Sequence, residues 1–189
     1  MAKYFGTDGF RGEANVDLTV EHAFHVGRFL GWYYGQEHRA QIVIGKDTRR
    51  SSYMYECALA AGITASGADA CLMHVTTTPS VSHIAKVDEF DCGIMISASH
   101  NPYYDNGLKL INGHGEKMEP EVIDEIERYL DSDWEPPYAT GEDIGRVIDY
   151  ASGRNRYIGY LTSLATRSFG DRKVALDCSN GSAWMIGRA

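Results

Sequence analysis

The chain has 189 residues, of which 43% are hydrophobic and 23% are charged. This composition is typical of a globular protein with a packed core, and it excludes a disordered chain or a fibre. The net charge of −8 opposes nonspecific binding to nucleic acid or to an anionic membrane. No apolar run reaches the roughly 20 residues of a membrane span, and the first residues lack a signal-peptide core, so we expect a cytoplasmic protein.

The four cysteines, Cys57, Cys71, Cys92 and Cys178, show no C-x-x-C spacing. They lie in apolar runs, which favours small buried hydrophobic side chains over a zinc site or disulfides. We therefore expect all four to be buried and free.

The first part of the chain alternates predicted helices and strands. Apolar positions three and four residues apart predict an amphipathic helix over 18–34, with Thr19 as its cap. A short β-branched run over 41–45 predicts a buried strand. An alanine-rich helix is predicted over 52–66, and 70–75 predicts the next strand.

The same alternation continues in the middle of the chain. Residues 76–79 predict a helix entry, with a proline near the first helical position. The apolar runs 92–96 and 107–111 predict two strands separated by the polar loop 97–106. A helix is predicted over 119–130, with acids in its first turn and one apolar face.

The strongest boundary signal is 131–140, which contains a tryptophan and a Pro-Pro pair. Beyond it, 156–168 predicts a helix and 173–177 a strand. We predict an α/β fold: a three-layer α/β/α domain over 1–150 with a mixed, mostly parallel sheet. Residues 151–189 are predicted to be a linker helix and the beginning of a second domain that is truncated after its first helix and strand.

The segment from Ser97 to Asn106 has the richest chemistry in the sequence. It follows an apolar strand and presents hydroxyls, an imidazole and an amide, as loops do at the carboxyl ends of strands, where open α/β sheets bind ligands. An ordinary surface loop has the same composition, so that alternative stays open. A serine hydrolase is disfavoured, because there is no G-x-S-x-G and His100 directly follows Ser99. Motifs of zinc deaminases, P-loop enzymes and dinucleotide enzymes are absent from the sequence.

Two further polar segments, 6–12 and 45–51, contain glycines and cations. Glycine lets backbone amides approach an anion, and the guanidinium of Arg11 offers a fork for phosphate. A plain turn with Arg11 in a surface ion pair is the alternative. We expect the three polar loops to converge on one edge of the sheet.

Taken together, these motifs resemble the α-D-phosphohexomutase family along essentially the whole chain. The serine loop is the most specific of them. The matching stretches are Tyr4–Gly12, Ile44–Arg49, Thr77–Pro79, Ser97–Pro102, Asp105–Lys109 and Asp177–Gly181.

The resemblance implies that Ser99, and not Ser97, is a phosphoserine. It implies that Arg11 and Lys109 are active-site cations that bind phosphate, and that His100 supports catalysis. Phosphoryl transfer from Ser99 to a hexose monophosphate would give a hexose 1,6-bisphosphate, which then returns its other phosphate to Ser99. One Mg²⁺ would bind the phosphate on Ser99 and carboxylates of the protein.

The family's metal loop D-G-D-G-D-R, its sugar loop and its carboxyl-terminal phosphate loop have no counterpart in the sequence. We therefore expect an inactive fragment of an enzyme that binds a phosphosugar. Members acting on glucosamine phosphate look most similar, and members acting on mannose or glucose phosphate are the alternative. A noncatalytic sugar-phosphate-binding module is an alternative from another class. A homodimer is a further expectation, because dimers are common in this family.

Overall fold

The computed structural model describes residues 3–168, 170 and 172–189. In this part of the chain the strands are β1 (Phe5–Gly6), β2 (Gly9–Glu13), β3 (Gln41–Lys46), β4 (Asp69–Val75), β5 (Cys92–Ile96), β6 (Asp105–Asn112) and β7 (Val147–Asp149). The α-helices are α1 (Val20–Tyr34), α2 (Arg50–Ala65), α3 (Thr78–Val87), α4 (Pro120–Leu130), α5 (Ala151–Ser163) and α6 (Trp184–Gly187). A 3₁₀ turn covers Gly141–Asp143. None of the described helices is long and apolar enough to cross a bilayer.

The strands form one mixed sheet in the order β1-β2-β6-β5-β3-β4-β7. β5, β3, β4 and β7 pair in parallel. β6, β2 and β1 extend the sheet by antiparallel pairing. The predicted mixed α/β sheet is confirmed, and its parallel pairing is confined to these four strands.

Helices cover both faces of the sheet. Side chains alternate along each strand, so a strand that is apolar throughout presents an apolar surface to the helices on each face. Ile42 and Ile44 of β3 belong to the apolar cluster that contains α1, α2 and α4. Val43 between them belongs to the cluster that contains α3. All three side chains are fully buried, and the arrangement confirms the three-layer α/β/α prediction.

The first helix begins where the sequence predicts. The Thr19 hydroxyl accepts a hydrogen bond from the backbone N–H of His22 at 3.2 Å, and His22 Nδ1 accepts one from the Thr19 N–H at 3.1 Å. This reciprocal pair is a capping box in which histidine takes the usual place of glutamate. The predicted Thr19 cap is confirmed.

The prediction for the cysteines is only half right. All four are free, and Cys71 and Cys92 are buried. Burial raises the pKa of the Cys71 thiol to about 11. Cys57, however, is exposed on the solvent side of α2, and Cys178 is half-buried.

The segment 131–140, where the sequence signals a boundary, packs against the rest of the domain. The backbone N–H of Ala139 donates to the carbonyl of Ala65 at 2.9 Å, and the ring of Trp134 packs edge-on against Trp32. Beyond this segment the chain returns to the sheet as β7, next to β4. The Pro-Pro pair therefore forms a connector that is fixed to the domain surface.

The end of the described chain differs from prediction. α5 starts at Ala151 and ends at Ser163, earlier at both ends than predicted, and it packs on α3 with Tyr157 buried between them. The strand predicted over 173–177 is absent, and Val174 and Leu176 are exposed. A strand needs a hydrogen-bonded neighbour, and no described strand lies beside this segment.

Candidate active site

A cavity of about 1090 Å³ opens beyond the carboxyl ends of β3 and β5. Its wall is formed by the segments that follow these strands, by the start of α3, and by the side chain of Lys109 on β6. The turn 179–182 also lies on the wall, and the Thr48 hydroxyl donates to the Asn180 carbonyl there at 2.7 Å. Two of the three predicted polar loops therefore converge.

The third polar loop, 6–12, forms a β-hairpin. Phe5 pairs with Phe10, and Gly6 pairs with Gly9. Gly9 has φ of +101°, and a Cβ atom there would lie 2.3 Å from the carbonyl oxygen of Leu108. This glycine is thus required for close packing of the hairpin on β6.

The serine loop presents Ser99 and buries Ser97. The Ser97 N–H donates to the Gly107 carbonyl at 2.9 Å, and the Ser97 hydroxyl accepts from the Ser99 N–H at 3.0 Å. Ser99 is exposed on the cavity wall with φ of +58°, a left-handed conformation that is uncommon for a residue other than glycine. Such backbone strain is concentrated at functional sites.

His100 and Lys109 lie on the same cavity wall as Ser99. Nδ1 of His100 lies 3.4 Å from the Ser99 hydroxyl oxygen. Nζ of Lys109 lies 3.4 Å from Asp8 Oδ2, at the tip of the β1–β2 hairpin. The structure therefore brings three of the four predicted site residues to one cavity.

Arg11, the fourth, is not part of that wall. It lies on β2 opposite Gly107, and its guanidinium forms an ion pair with Asp8. Its Nε is buried and has no hydrogen-bond partner among the described residues. Arg11 and Lys109 thus meet at the Asp8 carboxylate, and a second cavity of about 650 Å³ adjoins this point. Sequence reasoning did not single out Asp8, although it stands within the predicted 6–12 segment.

A buried polar network of Asp47, Ser52 and Asn106 lies next to the serine loop. Asp47 Oδ1 accepts from the Ser52 hydroxyl at 2.6 Å, and Asn106 Nδ2 donates to Ser52 Oγ at 3.0 Å. The Asn106 side-chain oxygen accepts from the Gly107 N–H at 2.8 Å. Asn106 is fully buried. The sequence does not reveal the contact between Asn106 and Ser52, because 54 positions separate these two residues.

Arg49 also contacts the loop, and sequence reasoning gave it no role. Its guanidinium donates to the backbone carbonyls of Ser99, Asn101 and Pro102. Its sequence signals are its position just after a buried strand, in the segment 45–51, and its place in the stretch Ile44–Arg49 that carries the family resemblance.

The described residues do not fit Mg²⁺ by themselves. In the ranges that the structure describes, no three His, Cys, Asp or Glu side chains come together as a metal-binding group. Asp47 is the carboxylate on the described cavity wall, and its oxygens already accept from Arg49 and Ser52.

Comparison with known proteins adds to this geometry. Residues 2–136 match the family described as phosphoglucomutase/phosphomannomutase, alpha/beta/alpha domain I. The whole chain is 69% identical to a phosphoglucosamine mutase from Lachnospira eligens and 65% identical to one from Lachnoclostridium phytofermentans. It spans 43% and 42% of the lengths of these two curated relatives.

Solved structures show the same fold. A putative phosphomannomutase from Thermus thermophilus matches with a TM-score of 0.70 and 23% identity, over 87% of this chain and 37% of that one. A phosphoglucomutase/phosphomannomutase family protein from Burkholderia thailandensis matches with a TM-score of 0.69 and 24% identity, over 86% of this chain and 36% of that one. At these identities the likeness shows the fold alone.

Proposed function

The chain belongs to the phosphoglucomutase/phosphomannomutase family, and from that membership we propose that it forms the serine-bearing part of a phosphoglucosamine mutase. The proposed reaction interconverts glucosamine 6-phosphate and glucosamine 1-phosphate, and so feeds amino-sugar and cell-wall precursor synthesis. The observation that carries the proposal is the exposed, left-handed Ser99 on the wall of a cavity shared with His100 and Lys109. The identity of the two curated relatives favours glucosamine phosphate over mannose or glucose phosphate.

In the proposed reaction Ser99 carries the phosphoryl group. The bond between Ser99 Oγ and phosphorus breaks while a free hydroxyl of the glucosamine phosphate forms a new bond to that phosphorus. The resulting glucosamine 1,6-bisphosphate turns over and returns its other phosphate to Ser99 Oγ. Catalysis of such a transfer consists mostly of positioning and of electrostatic stabilisation.

The cations have distinct places in this proposal. Lys109 reaches the cavity and balances charge on the transferred phosphoryl group, while Asp8 holds it when no phosphate is bound. Arg11 lies on the neighbouring strand β2 and pairs with the same Asp8 carboxylate as Lys109. It therefore adds positive charge near the proposed phosphate position. His100 is the candidate for receiving the proton of the attacking hydroxyl, since Lys109 acts here as a cation.

Mg²⁺ remains the proposed metal of the family, and it would be held by the Ser99 phosphate together with carboxylates outside the described residues. When bound, it would neutralise charge on the transferring phosphoryl group. The sugar-binding loop is likewise assigned to a further domain, of which residues 151–189 are the proposed beginning. The isolated chain is therefore expected to be inactive. We propose the cytoplasm as its compartment, which fits four free cysteines, and a homodimer stays a prediction.

The test is a mutase assay on the full-length gene product with glucosamine 1-phosphate, mannose 1-phosphate and glucose 1-phosphate. Ser99→Ala should lower turnover by roughly 10³-fold or more, since it removes the attacking atom. Ser97→Ala should still accept phosphate on the loop, because the Ser97 hydroxyl only supports the Ser99 N–H. Turnover by Ser99→Ala at the wild-type rate, or a preference for mannose phosphate, would contradict the proposal.

A further inference from the structure

We propose that Arg49 is a positioning residue, which holds the Ser99 peptide in its left-handed conformation and thereby fixes where the Ser99 hydroxyl meets its phosphoryl partner. The proposal rests on the proposed function, because the placement of Ser99 matters for turnover only if Ser99 carries the phosphoryl group. It assigns Arg49 no contact with substrate.

The serine loop wraps around the guanidinium of Arg49. Nη2 donates to the carbonyl oxygens of Ser99 and Asn101, both at 3.0 Å, and Nη1 donates to the carbonyl oxygen of Pro102 at 2.5 Å. Three carbonyls of one loop therefore converge on a single charged group. Hydrogen bonds from a charged donor are stronger than neutral ones, so the guanidinium stabilises the bend that these carbonyls require.

Arg49 is itself fixed by Asp47. Nε of Arg49 donates to Asp47 Oδ2 at 2.9 Å, and the Arg49 backbone N–H donates to Asp47 Oδ1 at 3.0 Å. Asp47 in turn accepts from the buried Ser52 hydroxyl. With one N–H on Asp47 and three on loop carbonyls, four of the five N–H groups of the guanidinium are occupied.

This occupation separates Arg49 from a substrate-binding cation. The Arg49 side chain is only 10% exposed, so it offers a phosphate little surface. Lys109 is also on the cavity wall, but it binds no carbonyl of the serine loop among the described residues. Arg49 thus acts on the loop, and Lys109 is left to act on the phosphate.

The strained peptide shows why the loop needs such a clamp. Ser99 has φ of +58°, where a side chain is disfavoured. The Arg49 contact to the Ser99 carbonyl fixes the orientation of the peptide that follows Ser99. Without it the loop can relax, and a shift of about 1 Å in a reacting group costs on the order of 10²-fold in rate.

The experiment compares Arg49→Lys and Arg49→Gln in the full-length gene product with the matched control Arg39→Lys. Arg39 also donates to two backbone carbonyls, those of Glu142 at 3.0 Å and Ile144 at 3.1 Å. It precedes the amino end of β3, at the opposite end from the cavity. Lysine keeps the charge of either arginine but loses the planar fork.

Both Arg49 variants should lower kcat by roughly tenfold to 10²-fold, with KM for glucosamine 1-phosphate changed by less than about twofold. A third variant, Arg49→Gly, should regain part of its kcat when guanidinium ion is added. Arg39→Lys should keep wild-type kcat. A raised KM at unchanged kcat would overturn the proposal, since Arg49 would then bind substrate; so would equal kcat losses in Arg49→Lys and Arg39→Lys.

A second measurement does not depend on turnover. Hydrogen exchange of the loop amides, including the Asn101 N–H that donates to the Ala98 carbonyl at 3.1 Å, should be faster in both Arg49 variants and unchanged in Arg39→Lys. Unchanged loop exchange in the Arg49 variants overturns the inference even if the enzyme is a mutase. Faster exchange in a protein that carries no phosphate on Ser99 would contradict the proposed function but would still support the positioning role of Arg49.

Discussion

Replacing Arg28 by methionine should destabilise the domain strongly. Arg28 on α1 is fully buried, and its guanidinium donates to the carbonyl of Ala65 at 3.0 Å, to the Ser66 hydroxyl at 2.7 Å and to the carbonyls of Pro136 and Pro137. Methionine keeps the apolar stem and removes every donor.

The magnitude follows from the acceptors that are left. Each buried carbonyl without a donor costs about 1–3 kcal/mol. Part of that sum is offset, because the methionine variant no longer has to keep a guanidinium charge away from water. The guanidinium also lies 3.8 Å from the centre of the Tyr138 ring, a cation–π contact that methionine loses. We expect a net loss of about 3–5 kcal/mol in the free energy of unfolding.

Urea unfolding followed by circular dichroism measures this loss. With a slope of about 2 kcal/mol per molar urea, the midpoint should fall by about 2 M. Arg39→Met is the matched control, since Arg39 also binds two carbonyls but is 37% exposed, so water can replace it at these carbonyls. The buried Asp69 carboxylate beside Arg39 keeps its ion pair with Arg146 in this variant. The control should lose less than about 1 kcal/mol. Equal losses of unfolding free energy in Arg28→Met and Arg39→Met would refute the argument that burial makes the Arg28 contacts costly to remove.

Two further predictions concern helix contact and pH. Gly62→Ala should lower the free energy of unfolding by several kcal/mol, because its Cβ would lie 2.2 Å from the Phe24 carbonyl oxygen. Gly159→Ala has open space around its Cβ and should raise the free energy of unfolding by about 0.5–1 kcal/mol. Thermal melts measure both changes. Burial raises the pKa of Glu127, but hydrogen bonds from the backbone N–H groups of residues 3–5 outweigh it and leave that pKa below its usual value. Its stabilisation is therefore present above pH ~4.3 and lost as pH falls through the lowered pKa. Glu127→Gln should be less stable at pH 7 and approach wild type in acid, once pH falls below the lowered pKa of Glu127; a constant difference would contradict this.

The larger elements of the fold follow from local sequence patterns. The periodicity over 18–34 and the β-branched run 41–45 each predict an element that the structure contains. The short strands β1 and β7 were not predicted, because two and three residues carry too little periodicity to be seen. Strand β2 was missed because its sequence, GFRGE, contains a single hydrophobic residue and no apolar run. The strand expected over 173–177 has suitable residues but no pairing strand among the described ones, and a sequence pattern cannot supply one.

The candidate site was predictable in its chemistry and less so in its geometry. The serine loop was found from its residues, whereas the exposure and the left-handed φ that set Ser99 apart from Ser97 are visible only in the structure. The ion pairs at Asp8 depend on a hairpin that brings it beside β6, and sequence reasoning missed it. Arg49 reaches carbonyls about 50 residues away, so its contacts are set by the sheet and not by its neighbours in the chain.

The most direct test of the central claim is phosphopeptide mapping of the full-length gene product after incubation with glucosamine 1,6-bisphosphate. The account predicts phosphate on Ser99, the exposed left-handed residue of the loop, and none on Ser97. If that phosphate carries a radioactive label, the label should pass into the sugar phosphates when unlabelled glucosamine 6-phosphate or glucosamine 1-phosphate is added in excess. Phosphate on Ser97, or on neither serine, would contradict the account.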